Sequence, residues 1–178
     1  MFAVLFGGAV AVLPVFASDV LKTGPMGLGL LRACPSIGAM IMSVFLMIYP
    51  PMRNTGRTLF ICVAGFGLCM ISFALSQNIY LSAVILVLSG AFDDVSVVVR
   101  ASILQIYTPD EMKGRVASVN SIFIGSSNEL GAFESGLAAR LMGLIPSVVF
   151  GGVMTLLIVG FVAGKSKVLR NLSLKDAR

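Results

Sequence analysis

Residues 108–136, TPDEMKGRVASVNSIFIGSSNELGAFESG, decide how the rest of the chain is interpreted. The stretch begins as a charged, turn-forming loop and continues as a long helical pattern that carries Asn128, Glu129 and Glu134. A charged side chain at the centre of a membrane helix costs at least about 2.5 kcal/mol, so acids placed there are functional candidates by default. Whether this helix lies in a membrane therefore has to be established first.

The composition places the chain in a membrane. Hydrophobic residues make up 57% of the 178 residues and charged residues 12%, and the mean hydropathy is +0.99. A soluble domain typically contains about 25% charged residues. We therefore predict an all-α integral membrane protein in contact with the lipid bilayer.

Residue counts exclude several function classes. The net charge of +5 is not concentrated along one helical face, which argues against a nucleic-acid partner. The chain has no histidine, so histidine-based relays, catalytic triads and metal sites are not expected, and no phosphate-binding loop occurs. Cys34, Cys62 and Cys69 lie in apolar segments and are predicted to be small buried residues. Neither an enzyme nor a metal or organic cofactor is predicted.

Six apolar runs are each long enough for about one crossing of a ~30 Å hydrocarbon layer. The first lacks a positively charged leader, so we interpret it as a membrane helix that lacks its beginning rather than a signal peptide. The runs form one bundle over residues 1–164, followed by a basic tail over residues 165–178. The predicted helices cover residues 1–17, 26–49, 58–76, 79–100, 116–142 and 147–164.

Local signals predict how these runs are joined and packed. The polar pair Gln77-Asn78 predicts a tight hairpin between antiparallel helices, and the fourth helix is expected to continue to Thr108-Pro109. Gly143 and Pro146 predict the turn into the last helix. Pro35 is expected to bend the second helix. Close helix contacts are expected at three glycines of that helix, Gly27, Gly29 and Gly38.

The distribution of lysine and arginine predicts the orientation. With the N-terminus on the cytoplasmic side, ten basic residues flank the inner helix ends and three, Lys22, Arg32 and Arg140, lie on the outer side. Because cytoplasmic loops carry the excess of basic residues, both termini are predicted to be cytoplasmic.

The fourth helix carries a polar stripe. At 100° per residue its members share one side, which predicts that they face a water-filled cavity or a partner helix rather than lipid. Asp93 and Arg100 are two turns apart, about 10 Å, so a direct ion pair would require the arginine to reach back. The alternative is that the acids brace the cytoplasmic end of the bundle. The stripe comprises Ser82, Ser89, Asp93, Ser96 and Arg100, with Gly90 and Asp94 at its edge.

The fifth helix separates its two acids. Glu134 shares a side with polar residues that include Asn128, whereas Glu129 lies nearly opposite, with Gly125 and Gly136. We predict that Glu134 faces a cavity and that Glu129 lies in a helix–helix contact. Either acid could bind and release a proton, and a structural hydrogen bond is the alternative for both.

Two further charged features are candidates. Arg32, two turns into the second helix, is a possible counter-charge for a glutamate, and snorkelling to the outer interface is its alternative. The loop before the fifth helix carries acids followed by bases, which predicts either a charge-paired gate at the membrane face or a plain connector. Its residues are Asp110, Glu111, Lys113 and Arg115.

Four stretches carry a resemblance to a known family: LPVFA at 13–17, GPMGLGLLRACPSIGA at 24–39, GAFDDVSVVVR at 90–100 and the stretch at 108–136. Together they resemble the C-terminal half of a major facilitator superfamily transporter, closest to the bacterial enterobactin (siderophore) exporters and related drug-efflux proteins. The resemblance covers residues 7–155, and its last stretch is specific. A loop over residues 51–57 is similar to the superfamily's cytoplasmic Gly/Asp/Arg motif but lacks the aspartate.

The resemblance implies a fold and a function. The fold would be six helices, themselves a 3+3 inverted repeat, forming one half of a twelve-helix transporter of the bacterial cytoplasmic membrane. The implied function is proton-coupled efflux of a siderophore-like or drug-like small molecule, driven by the proton gradient. An N-terminal six-helix half, from the same gene or a separate chain, would be the partner. The alternative is a non-transporting membrane scaffold that binds a partner, or an inactive fragment.

Overall fold

The apolar runs form helices in the computed structural model, which describes residues 13–18, 20–21, 24–49 and 55–165. Within these residues the chain contains five long helices and no strand. A single turn of 3-10 helix, Asp110–Met112, precedes the fourth of them. The helices are α1, Pro25–Ile48; α2, Thr55–Leu75; α3, Ile79–Tyr107; α4, Lys113–Met142; and α5, Leu144–Lys165.

Four of these helices, α1, α2, α3 and α5, are long and apolar enough to cross a membrane. Helix α4 has 30 residues, which is sufficient length, but its polar side chains make it less apolar than the others. Of the first predicted run, residues 1–17, only 13–17 are described, and they are helical. The loop at 51–54 and the tail at 166–178 lie outside the described residues. Four of the six predicted spans are thus supported by length and composition.

The helices pack in an order that differs from their order in the chain. Helix α1 packs against α3, α3 also against α2, α2 against α5, and α5 against α4. Residues 13–18 contact α2 through Phe16, whose ring centroid lies 4.4 Å from that of Phe73. The polar helix α4 is therefore at one end of the contact order and α1 at the other.

Side-chain caps explain the hairpin between α2 and α3. The Asn78 side-chain oxygen accepts a hydrogen bond of 3.0 Å from the backbone N–H of Tyr80, which caps the start of α3. The Ser82 hydroxyl donates to that of Ser76 at 3.0 Å, and Ser76 donates to the Asn78 carbonyl at 3.2 Å. These bonds fix the tight antiparallel turn that the Gln77-Asn78 pair predicts.

The turn between α4 and α5 depends on Gly143, whose φ of 90° is rarely adopted by other residues. Its N–H donates to the carbonyl of Ala139 at 3.1 Å and ends α4. Pro146 lies in the first turn of α5, where a missing backbone donor costs nothing. Both residues therefore act at the turn, as the sequence predicts.

Helices α1 and α3 cross at two glycines. A Cβ on Gly38 would overlap the Val87 carbonyl, and one on Gly90 would overlap the backbone of Pro35. The two backbones are therefore in direct contact, and the interface admits no side chain at either position. The prediction of close contact is confirmed for Gly38 but wrong for Gly29, which has nothing within 4 Å, because that position lies on the side of α1 turned away from α3.

A second close contact joins α2 to α5. A Cβ on Gly152 would lie 2.6 Å from the Ile71 side chain and 3.0 Å from the Gly67 carbonyl. All three cysteines are buried and unbonded within the apolar core, as predicted. The core therefore joins α1, α3 and α2, and the polar residues of α3 described next lie on one of these packed helices.

Candidate functional site

The serines of the α3 stripe face the inside of the bundle. Ser82, Ser89 and Ser96 have exposed fractions of 0%, 2% and 1%, and Asp93 and Arg100 are half-buried. These serine hydroxyls form hydrogen bonds with nearby groups of the chain. The hydroxyl of Ser89, for example, donates to the Leu86 carbonyl at 2.8 Å. For these three serines the prediction that the stripe faces a neighbouring helix rather than lipid is confirmed.

Asp93 is the unpaired acid of this stripe. It forms no hydrogen bond or ion pair with any described residue, and the charged groups acting on it are Arg100 and Asp94. Arg100 does not reach back to it, because its Nε donates to the Ser96 carbonyl at 3.1 Å. A half-buried carboxyl without a fixed partner is chemically free to take up and release a proton.

Asp94, the adjacent acid, is bonded to another helix. The Ser43 hydroxyl of α1 donates to its Oδ2 at 2.9 Å. This bond links α1 and α3 beside their glycine crossing. Ser43 was not among the predicted site residues, because nothing in the local sequence indicates a contact between residues 43 and 94.

The α4 glutamates are exposed. Gly131 is the buried residue of α4, with Ser127 and Ser135 half-buried beside it, so this side turns towards α5. Glu134 belongs to the side that carries those residues, yet it is itself exposed and unpaired among the described residues, as is Asn128. The small residues on that side allow close packing against α5. The cavity expected beside Glu134 stays a prediction.

Glu129 lies on the open side of α4. It is exposed, and Gly125 and Gly136 beside it have nothing within 4 Å. The helix–helix contact expected for Glu129 is therefore not made within the described chain. The physical reason is the position of α4 at the end of the contact order, which leaves its open side without a packed helix among the described residues.

Arg32 is exposed on α1 and forms no ion pair with either glutamate. The expected pair is not formed because α1 and α4 are at opposite ends of the helix contact order. Arg32 instead remains without a hydrogen-bond or ion-pair partner in the part of the chain that the structure describes.

The loop before α4 contains a local ion pair between Lys113 and Asp110, three residues apart. The hydrogen bond that Lys113 donates to Asp110 lowers the pKa of Asp110 below the usual value. Glu111 and Arg115 are exposed and do not join this pair. Because both partners lie within one helical turn, the pair stiffens the loop but does not latch two helices together.

Removing this pair is expected to leave stability unchanged. Since the folded-state pKa of Asp110 is lowered, the pair stabilises at pH values above the ordinary aspartate pKa and is lost as pH falls through the lowered value. Both side chains are largely exposed, so solvent screens the interaction. Asp110→Asn and Lys113→Gln should therefore have the same melting temperature in detergent as the parent protein between about pH 5 and pH 8. A clear drop in melting temperature for either variant would show that the pair holds more than its own turn.

Comparison with known families identifies the chain at the level of the family. Residues 1–177 match a family described as transmembrane secretion effector. The chain belongs to this family. It is a protein of the major facilitator type, which confirms that part of the resemblance and agrees with an all-helical, multi-pass membrane protein. The searches of curated proteins and of solved structures found no match.

Membership of the secretion effector family gives the polar groups of α3 and α4 a context. The family consists of membrane transport proteins, which are generally not enzymes. In such a protein, ionisable groups on helices of the membrane domain mark paths for substrates or ions. Asp93 meets this description most directly, because it is half-buried in an apolar helix and has no structural partner among the described residues.

Proposed function

We propose that the chain is the C-terminal half of a proton-coupled exporter that moves a siderophore-like or drug-like small molecule out across the bacterial inner membrane. The observation that carries this proposal is the unpaired, half-buried Asp93 in a membrane-spanning helix of a secretion effector. Protons re-entering the cell would drive export. No other cofactor is required.

Each charged group has a role in this proposal. Asp93 binds the coupling proton, and Arg100 supplies the positive charge that favours its ionised form after release. Asp94 holds α1 to α3 through Ser43. Glu134, Glu129 and Asn128 are exposed on α4. Because charged and polar side chains are costly in hydrocarbon, these residues contact the substrate or the other half.

The proposed partner is an N-terminal six-helix half, from the same gene product or a separate chain. Support comes from α4, whose exposed side carries Glu129 and two uncovered glycines. Small residues on one helix side permit close approach of a second helix. In the proposed arrangement both termini are cytoplasmic, and α4 lies between this half and the other.

A second candidate function is a non-transporting scaffold that binds another membrane protein. The same open side of α4 favours it, because a partner helix could dock there without any transport. The two functions differ in what Asp93 does: a scaffold has no use for a half-buried acid that changes protonation, whereas a transporter depends on it.

An efflux measurement decides between them. Cells producing the whole gene product that contains this chain are loaded with ethidium or with an iron-free tris-catecholate, and retention is compared with cells that lack it. Export of at least one probe, abolished by a protonophore, is expected. Retention unaffected by the protein or by the protonophore would overturn the transporter and favour the scaffold.

A further inference from the structure

Helices α3 and α4 are longer than the helices with which they form hairpins. Helix α3 has 29 residues against 21 in α2, and α4 has 30 against 22 in α5. Each is therefore eight residues longer than its hairpin partner, which is about 12 Å along the axis. Because the hairpin turns align the other ends, this extra length lies where residues 108–112 join α3 to α4.

The two lengths correspond to two different thicknesses of a bilayer. The hydrocarbon core is about 30 Å thick, and the bilayer with its headgroups is about 40–45 Å thick. Helices α2 and α5, at about 32–33 Å, span the hydrocarbon, whereas α3 and α4, at about 44–45 Å, also span a headgroup layer. The extra turns of α3 and α4 therefore lie among the headgroups of one face, which the predicted orientation makes the cytoplasmic face.

The surface of this segment is typical of a membrane interface. Residues 105–107 and 109–115 are exposed. Exposed apolar side chains, those of Ile106, Tyr107 and Met112, lie close in the chain to charged ones. Tyrosine has an apolar ring and a polar hydroxyl and is enriched at membrane–water interfaces. The composition of the segment therefore agrees with a position at headgroup level.

Arg100 lies where the extra length of α3 begins. It is 21 residues from Ile79, the start of α3, so it lies about 32 Å along the axis, where a helix that spans only the hydrocarbon ends. Its side chain is half-buried, and its Nε donates to the Ser96 carbonyl at 3.1 Å. The two terminal amino groups of Arg100 form no hydrogen bond or ion pair with any described residue. One edge of the guanidinium is thus fixed and the other is free.

A free pair of amino groups at this depth selects a phosphate. Two parallel N–H donors of one guanidinium can bond two oxygens of the same phosphate. The phosphates of phospholipids lie at the boundary between hydrocarbon and water, and basic sites between membrane helices on the cytoplasmic side bind anionic headgroups. The nearby bases of the loop are less suitable, because Lys113 is paired with Asp110 and Arg115 is exposed to screening by water.

We infer that Arg100 binds the phosphate of an anionic phospholipid of the inner leaflet. Its terminal amino groups donate to the phosphate, and an acyl chain lies along α3 towards Val97, which is one turn away and 47% exposed. The lipid also offsets part of the positive charge that Arg100 exerts on Asp93. That consequence for coupling rests on the proposed function, whereas the lipid site does not. The rival occupant is an acidic side chain of the other half, paired with Arg100.

Native mass spectrometry of the purified whole gene product tests the inference. Phosphatidylglycerol is titrated onto the delipidated protein in detergent, and the parent is expected to bind one lipid more tightly than the others. Arg100→Gln should weaken that binding about tenfold or more, the effect of losing charge-assisted hydrogen bonds. Arg100→Lys keeps the charge without the paired donors and should give an intermediate affinity. The matched control, Arg115→Gln, removes the same charge from the same face and should change the affinity by less than about twofold.

The contrary outcomes are distinct. Equal weakening by Arg100→Gln and Arg115→Gln would show diffuse attraction to a basic face, and unchanged binding in Arg100→Gln would assign Arg100 to a different partner; both overturn the inference. Inorganic phosphate at millimolar concentration should not displace the lipid, and displacement would identify a site for soluble anions instead. Because transport is not measured, each of these results leaves the proposed export standing.

A measurement of depth tests the site without altering Arg100. Ala101 and Met112 are exposed, and each is replaced singly by cysteine and labelled with a fluorophore in vesicles that contain nitroxide lipids. A nitroxide at the top of the acyl chain should quench the label at 101 most strongly, and a nitroxide on the headgroup should quench the label at 112. The natural cysteines are buried and contribute little background. Strongest quenching at 101 by a nitroxide at the bilayer centre would place Arg100 too deep to meet a phosphate and would overturn the inference.

Discussion

Alanine at Gly38 or at Gly90 should prevent the chain from folding into a stable bundle. At each position the added methyl group overlaps backbone atoms of the facing helix, the Val87 carbonyl for one and Pro35 for the other. Backbone cannot rotate aside as a side chain can, so α1 and α3 must separate along the crossing. Overpacking of this kind costs about 3 kcal/mol or more.

The separation would also stretch the bond between Ser43 and Asp94, which lies beside the crossing. Expected results are a marked loss of monodisperse protein in detergent and a lower melting temperature for both variants. Because the two glycines form one interface, their effects should not add.

Gly29→Ala is the matched control. Gly29 lies in the same helix but has nothing within 4 Å, so alanine there meets open space. Alanine favours helix over glycine by up to about 1 kcal/mol, so this variant should be as stable as the parent or slightly more so. Equal stability of Gly38→Ala and Gly29→Ala would contradict the α1–α3 crossing.

Neutralising Asp93 should abolish proton-driven transport while sparing the fold. Asparagine has nearly the same shape but cannot bind the coupling proton, and Asp93 has no hydrogen bond to lose among the described residues. We expect proton-driven efflux to fall by about two orders of magnitude, the range for removing a positioned proton-transfer group. Exchange of substrate across the membrane without a gradient should persist.

The neighbouring acid supplies the control for this variant. In Asp94→Asn the amide oxygen can still accept the Ser43 hydrogen bond, so both the link between helices and transport should survive. Efflux in Asp93→Asn equal to the parent would assign the coupling proton elsewhere. Loss of monodisperse protein in Asp93→Asn would instead make the residue a brace of the bundle.

Features encoded in adjacent residues could be predicted from the sequence. The Gln77-Asn78 hairpin, the Gly143 turn and the inward stripe of α3 all follow from local periodicity and turn chemistry. The ion pair between Asp110 and Lys113 is also local, since three residues along a turn bring the side chains together.

Features that depend on distant contacts could not be predicted. Gly29 and Gly38 are both glycines in the same apolar helix, and only the position of α3 decides which of them lies in a helix–helix contact. The polar residues on α4 predict a cavity surface, whereas the packing of Gly131 and the serines beside it against α5 depends on where α5 lies. The hydrogen bond between Ser43 and Asp94 joins residues that are 51 positions apart in the chain, and no local sequence pattern predicts it.

The most direct test of the account is substrate-driven proton movement through the whole gene product. Everted vesicles are acidified inside by respiration, and a pH-sensitive dye reports the gradient while the tris-catecholate is added. We predict that the probe partly collapses the gradient in the parent and in Asp94→Asn, and leaves it intact in Asp93→Asn. A gradient that the probe leaves unchanged in the parent, or collapses equally in Asp93→Asn, would contradict proton coupling at Asp93.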